Sequence, residues 1–186
     1  MHLLQKQNNM IQVICLLMCL MFSLSTCKKD NKMDDALSLK IAPYTGSELR
    51  TDGYYYNEYI PSYLTVYFFY IDGTVLYGSS FPTNELNMQE VKYSNGDHYY
   101  YAKNLKYYWG IFKVEGNELL FERWYPTQPP LKAYIRSGII HNDTTFKITE
   151  YYRMQGGQKT NIESRNEVYH FKAFSPKPDS TNSFVK

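Results

Sequence analysis

The sequence predicts an all-β protein, an antiparallel up-and-down β-barrel of about eight strands preceded by an N-terminal signal helix and tether. Three observations carry that expectation. Twenty Tyr and ten Phe sit with Val, Ile and Thr in short runs, and aromatic and β-branched residues favour a pleated, half-buried surface. The runs are divided by Asp72-Gly73, Gly116-Asn117 and Gly156-Gly157, turn pairs that join neighbouring antiparallel strands. Finally, strands joined one after another by short turns are best closed into a barrel, because closure removes the edges that invite aggregation.

Residues 1–26 read as a leader rather than as part of the domain. Val13 to Phe22 is ten apolar residues in a row, enough for the core of a signal peptide and short of the roughly 20 that span a bilayer as a helix. The run ends in Leu24-Ser25-Thr26-Cys27. Those four residues resemble the bacterial lipobox, which implies cleavage before Cys27 and lipidation of its thiol. Cysteine usage fits the same reading, since Cys15 and Cys19 leave with the leader and Cys27 stays without a partner for a disulfide. One acyl chain binds a bilayer only marginally, whereas the several chains expected of a lipoprotein anchor durably. The partner expected through Cys27 is therefore a membrane. Lys28 stands where inner-membrane lipoproteins of enteric bacteria carry Asp, so the resemblance implies an outer-membrane address in the cell envelope, facing either the periplasm or the cell surface.

Lys6 is the one charged residue in 1–26, so the 160 residues from Cys27 on carry 19 Lys+Arg against 18 Asp+Glu. That balance, with both signs interspersed, lacks the basic stripe of a nucleic-acid binder. The length suits one domain. Residues 27–47 read as the lipidated cysteine and a flexible tether, because six charges precede Leu37 and no sustained periodicity follows. The barrel domain is then 48–174, and 175–186, polar with two prolines, reads as an extended, mobile tail.

Within the domain, Leu49 to Tyr56 is the first expected strand. Tyr63 to Ile71 and Thr74 to Phe81 form a hairpin around Asp72-Gly73. Residues 82–106 read as an excursion between strands that includes a helical turn or two. Tyr107 to Val114 and Glu118 to Tyr125 form the clearest hairpin, with Gly110, Phe112 and Val114 alternating against Trp109, Ile111 and Lys113. Leu131 to Ile140, Thr144 to Arg153 and Ile162 to Phe174 complete the set. The last of these carries Glu163, Arg165 and Glu167 on the side that Tyr169 and Phe171 continue, which places the three charges near a rim.

The stretch Phe69-Tyr70-Ile71-Asp72-Gly73-Thr74, followed by Trp109-Gly110-Ile111-Phe112-Lys113-Val114-Glu115-Gly116-Asn117-Glu118-Leu119, is similar to a pattern of small bacterial lipocalin-like lipoproteins. The likeness spans roughly residues 49–174. It implies a lipocalin-like barrel.

Catalytic motifs do not emerge. His98, His141 and His170 lie in no His-x-His or Cys-His spacing that would begin a zinc site, Ser137-Gly138 lacks the glycine elbow of a hydrolase, and no phosphate-cradling glycine loop is present. Glu122 and Glu163 read as solvent-facing strand residues. No catalytic residue, metal or cofactor is expected, and the chain reads as a non-catalytic binding module. The ligand expected is small and apolar or amphipathic, held in the barrel by aromatic rings among Tyr67, Phe69, Trp109, Phe112, Phe121 and Trp124. The alternative is a structural or interaction lipoprotein that meets another envelope protein through exposed aromatics and the 82–106 segment.

Overall fold

The structure, a computed structural model, describes residues 33–186. The leader and Cys27, and with them the expected lipidation, lie outside the described residues. The strands are β1 (Gly53–Ile60), β2 (Tyr63–Phe69), β3 (Thr74–Pro82), β4 (Trp109–Glu115), β5 (Glu118–Trp124), β6 (Ala133–Asn142), β7 (Thr145–Gln155) and β8 (Gln158–Ala173). Each pairs antiparallel with its neighbour in sequence, and β8 returns to β1 with Tyr55 opposite Phe171, so the sheet closes. The predicted barrel is the fold the chain adopts.

Turn chemistry sets the registers. In the β2–β3 loop the Asp72 carboxylate accepts from the Thr74 backbone N–H at 2.9 Å and from its hydroxyl at 2.6 Å. Gly73 has φ +87°, and a Cβ there would stand 2.1 Å from the Ala42 carbonyl oxygen. Only glycine meets both demands. Gly116, with φ +61°, serves the β4–β5 turn in the same left-handed region.

Between β3 and β4 the excursion folds as α1 (Leu86–Ser94) and α2 (Asp97–Ala102), flanked by 3-10 turns at Thr83–Glu85 and Lys106–Tyr108. Tyr93 of α1 is buried and donates to the Gly78 carbonyl at 2.6 Å, which pins the helix to β3. The first strand begins later than expected, at Gly53 rather than Leu49. Leu49 instead plugs one end of the barrel, its N–H donating to the Tyr44 hydroxyl at 2.7 Å.

The barrel is apolar on both faces of much of its wall. Inside, Tyr55, Tyr67, Phe69, Val75, Phe112, Leu119, Phe121, Phe146, Ile148 and Tyr169 form one buried layer. Outside, Tyr54, Leu64, Val66, Phe68, Leu76, Trp109, Ile111 and Trp124 form a second. Its cover comes from Leu37, Leu39 and Ile41, from the helical excursion, and from Phe184 and Val185.

That outer cover corrects two expectations. From Met33 the expected tether is a strap bound to the barrel: Ser38 and Leu39 donate their N–H groups to the Glu122 carboxylate at 2.6 and 2.8 Å. Asp35 meets the Arg153 guanidinium at 2.7 Å and the Ala133 N–H at 3.1 Å, while its carbonyl accepts from Trp124 Nε1 at 2.7 Å. The strap docks because its carboxylates answer cations and backbone donors of the barrel, a pairing that hydrophobic periodicity does not register. The tail is likewise docked rather than mobile. Val185 is buried, the Tyr70 hydroxyl donates to the Pro178 carbonyl at 2.8 Å, and the Lys177 ammonium donates to the Phe69 carbonyl at 3.1 Å. Glu122 is a third correction. It is buried beneath the strap, not solvent-facing.

Candidate functional site

Alternating strand direction puts the turns at 70–73, 116–117 and 143–144 at one end of the barrel and those at 61–62, 125–132 and 156–157 at the other. The two ends differ in chemistry. At the first, Phe69 lies edge-on to Phe112 with ring centroids 5.0 Å apart, to Phe121 at 5.6 Å and to Phe146 at 5.9 Å. Tyr44 of the strap closes over Phe112 at 5.4 Å. Tyr55 donates its hydroxyl to the Asp143 carbonyl at 2.5 Å and stacks obliquely on Phe146 at 5.0 Å. Rings at these separations are in contact, so this half of the barrel is filled by its own side chains.

The other end is polar and cationic. Along β5, Leu119, Phe121 and Arg123 share the inward face, and along β6 Arg136 stands directly opposite Phe121. Arg123 is 4% exposed. Its guanidinium lies over the Tyr125 ring at 4.2 Å and the Tyr77 ring at 4.3 Å, and donates to the carbonyls of Tyr107 at 2.9 Å and Trp124 at 3.2 Å. Among the described residues it has no carboxylate partner. Arg136 donates to the Tyr125 hydroxyl and lies over the Tyr151 ring at 5.0 Å. Its nearest carboxylate, Glu167, is 3.8 Å away and stands 3.9 Å from Arg165 as well. Arg165 also pairs with Glu163. The three charges of β8 thus lie at this rim.

Tyrosines fill the space between the guanidiniums. Tyr134 and Tyr151 stack in parallel at 4.7 Å, and Tyr125 meets them edge-on at 5.1 and 5.4 Å. Deeper in, Tyr67 is fully buried, and its hydroxyl makes no hydrogen bond, nor do the Nε groups of Arg123 and Arg136. Burial pushes the Tyr67 phenol up against the pull of the two arginines, so Tyr67 keeps its proton and remains a donor. In Tyr125 the balance reverses. Burial pushes the phenol up, and the charges of Arg136 and Arg123 outweigh it and bring it below its ordinary value.

Of the residues expected to line a ligand site, Tyr67, Phe69, Phe112 and Phe121 face the barrel interior. Trp109 and Trp124 face outward, into the layer beneath the helices and the strap. Trp109 Nε1 donates to the Ala102 carbonyl at 2.7 Å, and the Lys106 ammonium lies over the Trp124 ring at 4.2 Å. The structure therefore brings four of the six together, mainly as packing, with Tyr67 reaching the cationic end. Arg123 and Arg136 escaped the sequence reading. Their signal was there: Arg123 continues the inward alternation of Leu119 and Phe121, where a charge on an apolar face calls for an explanation.

Surface depressions flank this core. One of about 620 Å³, lined by Leu105, Tyr107, Pro126, Pro129 and Leu131, adjoins the loop that follows Tyr125. Another, of about 330 Å³, lies between the strap and β4 beside Tyr44, Phe112 and Val114. His98 is buried in α2, its Nε2 3.2 Å from the Tyr77 carbonyl oxygen and its ring edge-on to Tyr93 at 5.1 Å. Among the described residues, no three His, Cys, Asp or Glu gather in a way that would hold a metal ion.

No family model, no curated protein and no solved structure matches the chain. The class that fold and site define is a closed eight-stranded antiparallel β-barrel domain, plugged by aromatic rings at one end and lined by arginine and tyrosine at the other, an architecture compatible with ligand binding.

Proposed function

We propose that the chain is a non-catalytic, lipocalin-like binding module, lipid-anchored through Cys27 in the cell envelope at the outer membrane, that takes a small amphipathic ligand at the cationic end of its barrel. The observation that carries this is the division of the interior. The plugged half offers no seat, whereas the other end sets tyrosine faces beside buried arginines with unpartnered donors. Tyrosine supplies flat contact area with a polar tip, and converging polar groups in an aromatic setting mark a ligand seat. The lipobox-like Leu24-Ser25-Thr26-Cys27 and the lone thiol support the anchor.

The test is native mass spectrometry of the chain purified from envelopes, with side-chain NMR of Tyr67, Tyr125 and Tyr151 during titration with whatever co-purifies. Shifts confined to those tyrosines are expected. Shifts at Phe69 and Phe146 instead would place the ligand in the plugged half and sink the reading. Lipidation is read separately, as an increase in mass on Cys27 that Cys27→Ser removes.

A second reading has its own observation. Met88 and Val91 of α1 and Tyr100 and Tyr101 of α2 are 47, 60, 70 and 65% exposed, an apolar surface on the excursion that suits an interaction lipoprotein contacting another envelope protein. Crosslinking in intact cells separates the two: one dominant protein adduct, lost on deleting residues 84–103, favours the interaction role.

A further inference from the structure

Charge at the cationic end does not balance. Among the described residues, Glu167 lies beside both Arg136 and Arg165, and Glu163 pairs with Arg165, while no carboxylate pairs with Arg123, which leaves its positive charge over. Glu163 is 55% exposed, so its share is screened by water. The surplus sits on a guanidinium that is 4% exposed. Burying a charge without a counter-charge is unfavourable unless the site has another task for it.

Hydrogen-bond capacity is surplus at the same place. The Tyr67 hydroxyl, Arg123 Nε and Arg136 Nε are buried and make no hydrogen bond, although Arg136 Nε lies 3.8 Å from the Glu167 carboxylate. Both guanidiniums lie within 6 Å of the Tyr67 ring, at 5.8 and 5.9 Å, so the three donors belong to one cluster. All are donors, and two belong to cations. Only an acceptor satisfies them, and an anionic one best, because charge-assisted hydrogen bonds are the stronger kind.

The way in is past Tyr125. That side chain is half-buried at the rim, its ring covers Arg123, and its hydroxyl accepts from Arg136. The hydroxyl occupies the position of a ligand oxygen. The two guanidiniums beside that hydroxyl, one on its oxygen and one over its ring, favour negative charge there.

We propose that the cationic end is a carboxylate-binding site: a ligand carboxylate displaces the Tyr125 hydroxyl and accepts from Arg136, Arg123 and Tyr67. A single surplus charge matches a monoanion rather than a dianion, which selects a carboxylate over a phosphate monoester. The stacked pair of Tyr134 and Tyr151 then gives the flat part of the ligand an aromatic wall. This rests on the binding-module reading and names the polar end of its ligand.

The experiment titrates the full chain in detergent micelles with benzoate, its neutral isostere benzamide, and phenyl phosphate, followed by calorimetry and tyrosine NMR. Benzoate is expected to bind at least about tenfold more tightly than benzamide, the worth of roughly one charge-assisted hydrogen bond. Tyr67→Phe removes an unpartnered hydroxyl and so leaves folding intact. It is expected to weaken benzoate about fivefold or more while sparing benzamide. Arg136→Gln is expected to erase the preference for benzoate. Tyr125→Phe, which removes the competing oxygen, is expected to tighten benzoate.

Equal binding of benzoate and benzamide overturns the carboxylate site and leaves the binding module standing. Tighter binding of phenyl phosphate overturns the choice of a monoanion. Weaker benzoate binding by Tyr125→Phe overturns the displacement. No binding of any of the three overturns the carboxylate site and the proposed seat together.

Discussion

Replacing Glu122 with alanine is expected to free the strap from the barrel wall. The carboxylate accepts from the N–H groups of Ser38 and Leu39 at 2.6 and 2.8 Å and from the Ser38 hydroxyl at 3.1 Å. Alanine leaves both backbone donors unpaired beneath a part-buried segment, and each costs about 1–3 kcal/mol. Relief of the buried charge offsets some of this, because burial pushes the Glu122 carboxyl above its ordinary value against the pull of those same donors. A net loss of about 2–3 kcal/mol is expected. Glutamine keeps an acceptor oxygen in place, and Glu122→Gln is expected to cost about 1 kcal/mol. The assay is urea denaturation of both variants, with native-state amide exchange at Ser38 and Leu39. Unchanged midpoints and unchanged protection at those two amides in Glu122→Ala would refute the reasoning. The pH dependence gives a second check. A carboxyl raised on folding contributes stability that is fully present below its unfolded value of 4.5 and is lost as pH rises through the higher folded value. Glu122→Gln is expected to remove that decline.

Phe69→Ala, which opens a void among Phe112, Phe121 and Phe146, is expected to cost about 3–5 kcal/mol in thermal or chemical denaturation; a cost under 1 kcal/mol would mean that this half of the barrel is not packed. Deleting residues 175–186 removes the docked Val185 and the bond from the Tyr70 hydroxyl to Pro178, and a loss of about 2–3 kcal/mol is expected. An unchanged denaturation midpoint would show the tail to be a passive appendage. Burial holds His98 below its ordinary value of 6.5. The stability of its neutral form is present above 6.5 and is lost as pH falls through the lower folded value, so His98→Gln is expected to flatten the decline below pH 6.5. An identical slope in wild type and variant would assign the effect elsewhere.

How much of this was legible depends on where periodicity and turn chemistry operate. Asp72-Gly73 and Gly116-Asn117 announce hairpins because the backbone needs left-handed residues there, a demand local to the turn. The alternation of Gly110, Phe112 and Val114 against Trp109, Ile111 and Lys113 likewise places the inward face of β4. Parity fails as a guide to the two tryptophans because both faces of the wall are buried. Trp109 and Trp124 are as hydrophobic as the plug residues, yet they serve the outer layer. The strap carried one short signal, the alternation of Leu37, Leu39 and Ile41 that packs on the outer layer, but most of what fastens strap and tail was unreadable for a different reason. Asp35, Ser38 and Lys177 dock through polar bonds to residues distant in sequence, and such bonds leave no period. The cationic end lay between these cases. Glu163, Arg165 and Glu167 were visible as a charged stretch of an otherwise apolar face. Arg123 and Arg136 were each a lone charge on an inward face, and only the closed sheet brings them together over Tyr67.

The strap also decides how the domain bears load. Between Met33 and the first strand at Gly53, the chain is fastened by Asp34 to Leu131 and Lys106, by Asp35 to Arg153, Lys132 and Ala133, and at Ser38 and Leu39 by Glu122. A pull from the N-terminal side therefore meets these clamps before it reaches any strand. It is carried into β5, β6 and β7, and β1 does not peel away from β2. Tension entering at Met33 is thus shunted around the β1–β2 seam and delivered to the end of the barrel where Arg123 and Arg136 lie, since Leu131, Ala133 and Arg153 border Tyr134 there.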